Sequence, residues 1–149
     1  MPHKPKILVT SAAGHVGSAA VLELLRREYP VRAFVRRKDQ RSVALEKAGA
    51  EIFEGDLRDY RDLELSLKGV QRAFFNPPFS QNTLYDSTMF AVAAEEAKLE
   101  MITLMGAWNL SPTHPSINVV IGSPIISING CRQWMWSTLP PDCLRFPTF

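Results

Sequence analysis

Short apolar runs alternate with amphipathic segments along the first 117 residues of the chain. The runs are rich in β-branched and aromatic residues and predict strands at residues 6–10, 31–35, 51–53, 70–75 and 100–105. The segments between them repeat apolar positions at helical spacing and predict helices at residues 15–28, 41–49, 59–67 and 86–98. Strands that alternate with helices pair in parallel through crossover connections. The pattern therefore predicts an α/β fold with a doubly wound parallel sheet of about five strands.

Charge divides the chain near residue 117. Residues 118–149 carry only Arg132, Asp142 and Arg145 as charged side chains, although they hold both cysteines and two of the three tryptophans. We predict one domain at residues 1–117 and an irregular, charge-poor extension at residues 118–149. The extension is either a packed cover for the open end of the sheet or a non-native C-terminus from alternative splicing or a frame change.

The amino-acid composition limits the classes of partner that the chain is expected to bind. Of the 149 residues 46% are hydrophobic and 21% charged, and the net charge of +2 is too close to balance to indicate nucleic-acid binding. No apolar run approaches the ~20 residues of a membrane helix, and the N-terminus lacks a secretory pattern, so we expect a cytoplasmic protein with no membrane contact. Cys131 and Cys143 are too few for a disulfide framework and make no credible metal site.

The turn between the first strand and the first helix is predicted to bind a pyrophosphate. A helix N-terminus at this edge of a parallel sheet offers free N–H groups and the positive end of its dipole. Gly14 and Gly17 permit close approach of phosphates and close helix–strand packing. Ser11 replaces the first glycine of a G-x-x-G-x-x-G loop, so we expect a weaker tight turn with its backbone donors intact. The loop reads Thr10-Ser11-Ala12-Ala13-Gly14-His15-Val16-Gly17, and His15 is expected to cap the helix or contact phosphate.

Basic residues follow the second strand, at the place where a dinucleotide site usually carries an acid for the ribose hydroxyls. Arg36 and Arg37 stand there instead. Arginine pairs with a 2′-phosphate through charge-assisted contacts, which favours NADP(H) over NAD(H). A solvated basic cluster is the alternative, and the phosphate loop upstream weighs against it.

The turns after the third and fourth strands complete the predicted site. Asp56 is suited to accept a hydrogen bond from the adenine amino group, and Leu57 to pack on the ring. Asn76 and Pro77 would border the nicotinamide ribose. Taken alone, both segments are ordinary turn signals. Together with the phosphate loop and the arginines, they favour a dinucleotide cleft.

Four blocks, in this order, resemble the NmrA-like family of atypical short-chain dehydrogenase/reductases. They are residues 7–17 (ILVTSAAGHVG), 30–37 (PVRAFVRR), 49–57 (GAEIFEGDL) and 67–70 (LKGV). The resemblance extends over about residues 5–117 and implies a Rossmann-like NAD(P)-binding domain. Members of the family are generally longer and form their substrate pocket from the C-terminal part, so we expect this chain to stop short of that pocket.

No catalytic group is assigned by the sequence. The Tyr-x-x-x-Lys motif of the wider superfamily is absent, because Tyr29, Tyr60 and Tyr85 are not followed by a lysine four positions on. The resemblance implies an oxidoreductase that transfers hydride between NADP(H) and a small organic substrate. A non-catalytic redox sensor that acts through a protein partner or a homo-oligomer is the alternative. An inactive, shortened family member is a third possibility.

Overall fold

The computed structural model describes residues 4–78, 80 and 82–105, which form a five-stranded parallel sheet and four helices. The strands are β1 (Ile7–Val9), β2 (Val31–Val35), β3 (Glu51–Glu54), β4 (Arg72–Phe75) and β5 (Met101–Leu104). The helices are α1 (His15–Arg26), α2 (Gln40–Lys47), α3 (Tyr60–Leu67) and α4 (Thr83–Glu96). The strand order is β3-β2-β1-β4-β5, so β2 and β3 lie on one side of β1, and β4 and β5 lie on the other. The predicted doubly wound, Rossmann-like fold is therefore confirmed.

Helices cover both faces of the sheet, which explains why β1 is apolar at every position. Leu8 points to the side of α3 and α4, where it joins a core that includes Phe75 and Phe90. Those two rings stack with their centroids 4.1 Å apart. Val9 belongs to the opposite core, which also holds Val21 of α1. Successive β1 side chains thus enter different cores, as the twofold period of a strand requires.

Side-chain caps and left-handed residues set the helix ends. Asp39 caps α2 by accepting hydrogen bonds from the backbone N–H groups of Arg41 and Ser42. The first helix was predicted to run to Glu28 and stop at Pro30, but it ends at Arg26 because Glu28 takes a left-handed conformation with φ 61°. The fourth helix starts at Thr83, earlier than the predicted Asp86.

The predicted boundary near residue 117 and the extension at 118–149 lie outside the described residues and stay predictions. Within the described part of the chain, none of the helices has the length and apolar character needed to cross a bilayer.

Candidate functional site

The turn between β1 and α1 places unpaired backbone donors at the carboxyl edge of the sheet. The Gly14 N–H donates to the Ser11 carbonyl at 3.0 Å, and Gly14 is the N-cap of α1 without any side-chain cap. His15 is the first residue of α1 and is exposed. The N-cap is therefore Gly14, and His15 does not have the expected capping role. Among the described residues, three backbone N–H groups in the first turn of α1 have no hydrogen-bond acceptor. They belong to His15, Val16 and Gly17.

Gly17 packs directly against the backbone of the turn. A Cβ atom at this position would lie 2.3 Å from the Ser11 carbonyl oxygen and 2.8 Å from the Ala12 Cα atom. The same test at Gly14 gives a milder 3.2 Å contact with the Ser11 oxygen. The close helix–strand approach therefore depends on Gly17 far more than on Gly14.

Hydrogen bonds also connect the β1–α1 turn to the end of β4. The Ser11 hydroxyl donates to the Asn76 carbonyl oxygen at 2.8 Å, and the Asn76 N–H donates to the Thr10 hydroxyl at 2.8 Å. The first contact was not predictable from the sequence, because the two residues are far apart in the chain. Ser11 therefore connects the turn to another strand, whereas the sequence indicated only a weaker glycine substitute.

A cavity of about 210 Å³ opens beside this turn. Its walls come from the β1–α1 turn, β2, the β3–α3 turn and the segment leading into α4. Four of the predicted cofactor residues line it, namely Ser11, Arg36, Asp56 and Leu57. Pro78 lines it instead of the predicted Pro77, which is buried. Arg37 is exposed and does not line this cavity, and neither do Asn76 and the predicted loop residues 13–17.

Arg36 is a cation at the cavity wall. Within the described residues its side chain makes no hydrogen bond and no ion pair, although it is at the cavity wall. Its neighbour Lys38, by contrast, pairs with Glu46 at 2.9 Å. A guanidinium that lines a cavity and has no protein partner is available to an anionic ligand.

An ion pair that the sequence analysis missed closes the far wall of the cavity. Asp86 has only 1% of its side chain exposed, and its Oδ1 accepts a hydrogen bond from the Nε of Arg58 at 3.2 Å. The predicted helix began at Asp86, and no role was predicted for that residue. In the structure Asp86 lies in the first turn of α4, on its buried face with Thr83 and Phe90.

We expect the two halves of this pair to contribute unequally to stability. Arg58→Met leaves the buried Asp86 carboxylate without a partner and should cost about 3 kcal/mol of unfolding free energy. Asp86→Asn leaves Arg58, whose side chain is 45% exposed, to water and should cost only about 1 kcal/mol. Urea unfolding measures both.

A matched control and a double variant complete this test. Arg61→Met removes the same charge from an exposed position on α3 and should change stability little. The double variant Arg58→Met with Asp86→Asn should be about as stable as Asp86→Asn alone. Equal losses for the two single variants would contradict the asymmetry.

Tyr60 is unsuited to proton donation. Its hydroxyl donates to the Glu96 carboxylate, and this hydrogen bond raises the pKa of Tyr60 to about 12. A catalytic phenol needs the opposite shift. Tyr85 lies exposed on α4, with 53% of its surface accessible. Neither of these two residues is therefore a candidate tyrosine acid.

A larger cavity of about 600 Å³ lies at the opposite, amino edge of the sheet. The charges around it are paired: Glu51 binds both Lys6 and Arg32, and Arg72 binds Glu100. Burial alone would raise the pKa of Glu51, but the hydrogen bonds from Lys6 and Arg32 outweigh it and lower that pKa. These groups hold strands together, and the carboxyl edge remains the better candidate site.

The described residues contain no candidate metal site. No group of three or more His, Cys, Asp or Glu side chains within the described ranges is arranged to hold a metal ion.

Comparison with known proteins gives one family and one fold. The NmrA-like family matches residues 3–103. Over 72 residues the chain is 43% identical to sterol demethylase protein B of Methylococcus capsulatus, which covers 48% of this chain and 22% of that protein. Triphenylmethane reductase from Citrobacter sp., solved with NADP(H), is 20% identical with a TM-score of 0.74 over 87% of this chain and 48% of its own.

A second solved structure has the same fold. The binary complex of leucoanthocyanidin reductase with NADPH from Vitis vinifera is 15% identical, with a TM-score of 0.73 over 88% of this chain and 48% of its own. The chain thus spans about half the length of these two solved proteins. At these identities, the structural likeness establishes the fold.

Proposed function

Because the chain belongs to the NmrA-like family, we propose that it binds NADP(H), in preference to NAD(H), at the carboxyl edge of its sheet. The observation that carries the proposal is that Arg36, which has no ion pair among the described residues, lies in the same cavity as Ser11, Asp56 and Leu57. Because Arg36 has no hydrogen bond or ion pair to any described residue, its guanidinium suits an anion of high charge. The 2′-phosphate of NADP(H) is such an anion.

Each part of the dinucleotide has residues suited to it. The turn at residues 11–17 would hold the pyrophosphate. Arg36 would bind the 2′-phosphate, with Arg37 as a second cation. Asp56 would accept a hydrogen bond from adenine, and Leu57 would pack on the ring. Asn76 and Pro77 would border the nicotinamide. The bound dinucleotide supplies the hydride, and the chain binds and orients it.

We further propose that the whole protein is an oxidoreductase acting on a small organic molecule. The names of the two solved reductases, and the NADP(H) present in both complexes, support this reaction class. A non-catalytic sensor that reports the bound dinucleotide to a protein partner is the second candidate. The absence of Tyr-x-x-x-Lys from the sequence favours it. A cytoplasmic location stays a prediction.

Calorimetric titration of the full chain with NADPH and with NADH tests the binding proposal. NADPH should bind at least about tenfold more tightly, which corresponds to roughly 1.4 kcal/mol. Failure to bind either dinucleotide would overturn the proposal, and equal affinities would overturn the preference for NADP(H). Oxidation of NADPH with a panel of quinones and carbonyls then separates the two candidates, because a sensor binds NADPH without turnover.

A further inference from the structure

Two arginines line the cavity of about 210 Å³, and their guanidinium groups differ in their electrostatic surroundings. Arg36 makes no hydrogen bond and no ion pair with the described residues. Arg58 instead donates through its Nε to the Oδ1 of Asp86 at 3.2 Å, and that carboxylate is buried. The positive charge of Arg58 is therefore already opposed by a negative charge at close range. A phosphate has more to gain from Arg36 than from Arg58.

The contact with Asp86 occupies only one edge of the Arg58 guanidinium. Within the described part of the chain, its two Nη groups have no hydrogen-bond partner, and 45% of the side chain is exposed. A guanidinium that is held at one edge still presents the faces of its plane, and arginine stacks on aromatic rings through those faces. Because Asp86 restrains the group before any ligand arrives, less conformational freedom is lost on contact.

The rest of the cavity lining suits a flat and mostly apolar group. Phe34, Leu57 and Pro78 supply apolar surface beside Arg58. Asp56 adds a single acceptor, and its Oδ1 is oriented by a hydrogen bond from the backbone N–H of Arg58 at 3.0 Å. Apolar walls with a few placed polar groups are typical of sites for small ring systems. In the dinucleotide, adenine is the ring system that this lining fits.

We propose that Arg58 is an adenine-binding residue, whose guanidinium stacks on the base while Asp86 holds it in position. The inference rests on the proposed function, because it assigns this cavity to the adenosine end of the dinucleotide. The two arginines then have separate roles. Arg36 selects for the 2′-phosphate, whereas Arg58 contributes affinity to NADPH and NADH alike, because both contain adenine.

Arg58→Lys, titrated with NADPH and with NADH, tests the inference. Lysine keeps a positive charge opposite Asp86 but has no planar group to stack. Both dinucleotides should bind about 3- to 10-fold more weakly, the range of a partly exposed cation–π contact, and the ratio of their affinities should stay within about twofold. Arg61→Lys makes the same change at an exposed position on α3 and should leave both affinities unchanged. A loss confined to NADPH, or no loss at all, would overturn the inference.

The cytosine analogue of NADH locates the contact on the base. It has the same phosphates and riboses but offers one ring instead of two for stacking. Arg58→Lys should therefore weaken binding of the analogue by a factor at least about twofold smaller than for NADH, as a comparison of paired changes in protein and ligand shows. Equal losses for the two ligands would place the contact on a phosphate or a ribose and contradict the inference.

Asp86→Asn separates a stacking arginine from a phosphate-binding one. Asparagine keeps an oxygen that can accept from the Arg58 Nε but removes the opposing charge. A stacking Arg58 predicts that both dinucleotides bind within about twofold of the unchanged chain. A phosphate-binding Arg58 predicts several-fold tighter NADPH binding, and that result would overturn the inference while the proposed function stands. Circular dichroism at the titration temperature verifies that each variant is folded. If the unchanged chain binds neither dinucleotide, both proposals fail.

Discussion

Gly17→Ala should destabilise the protein by roughly 2–3 kcal/mol and abolish measurable binding of NADPH at micromolar concentrations. The added Cβ would lie 2.3 Å from the Ser11 oxygen and 2.8 Å from the Ala12 Cα atom, and both are backbone atoms that no side-chain rotation can move. Helix propensity works in the opposite direction, since alanine in a helix is favoured over glycine by only about 1 kcal/mol. The clash therefore dominates. Urea unfolding and calorimetric titration measure the two effects.

Gly14→Ala is the matched control in the same turn. Its added Cβ would lie 3.2 Å from the same Ser11 oxygen, and the φ of −81° at Gly14 is open to alanine. We expect a loss below about 1 kcal/mol for this variant. The argument from close packing fails if Gly14→Ala is as damaging as Gly17→Ala, or if Gly17→Ala proves as stable as the unchanged chain.

The fold could be predicted because its determinants are local in the sequence. The run Ile7-Leu8-Val9 is apolar at every position, and only a strand covered on both faces buries all three side chains. β2 was also predicted at its observed bounds, Val31–Val35. Helix ends were predicted less well, because left-handed Glu28 and the early start at Thr83 depend on turn conformations that periodicity does not record.

The parts of the candidate site that are local in the sequence could be predicted, and those formed by distant residues could not. The turn at residues 11–17 and the arginine after β2 are readable because each follows a predicted strand, and the carboxyl ends of parallel strands meet at one edge. The Ser11–Asn76 and Arg58–Asp86 contacts join residues distant in sequence. Local patterns do not record such pairings, which is why neither contact was predicted.

Replacing Arg36 by Gln should weaken NADPH binding about 10- to 100-fold and change NADH binding less than about twofold. A hydrogen bond to a charged group contributes roughly 1.5–3 kcal/mol, and only NADPH carries the 2′-phosphate that would use it. The variant should fold normally, because the exposed Arg36 side chain has no hydrogen bond or ion pair to lose in the described part of the chain. Calorimetric titration of each dinucleotide at fixed ionic strength measures the selectivity.

Two further variants test whether this selectivity belongs to Arg36 itself. Arg61→Gln removes one positive charge from α3, away from the cavity wall, and should leave the affinities for both dinucleotides unchanged. Arg37→Gln, adjacent in sequence but not at the wall, should reduce NADPH affinity less than Arg36→Gln does. If Arg36→Gln weakened NADPH and NADH equally, the 2′-phosphate would not be its ligand. If Arg61→Gln matched the effect of Arg36→Gln, the preference would come from net charge, because a guanidinium placed at the cavity acts on one phosphate, whereas a diffuse field acts on any anion.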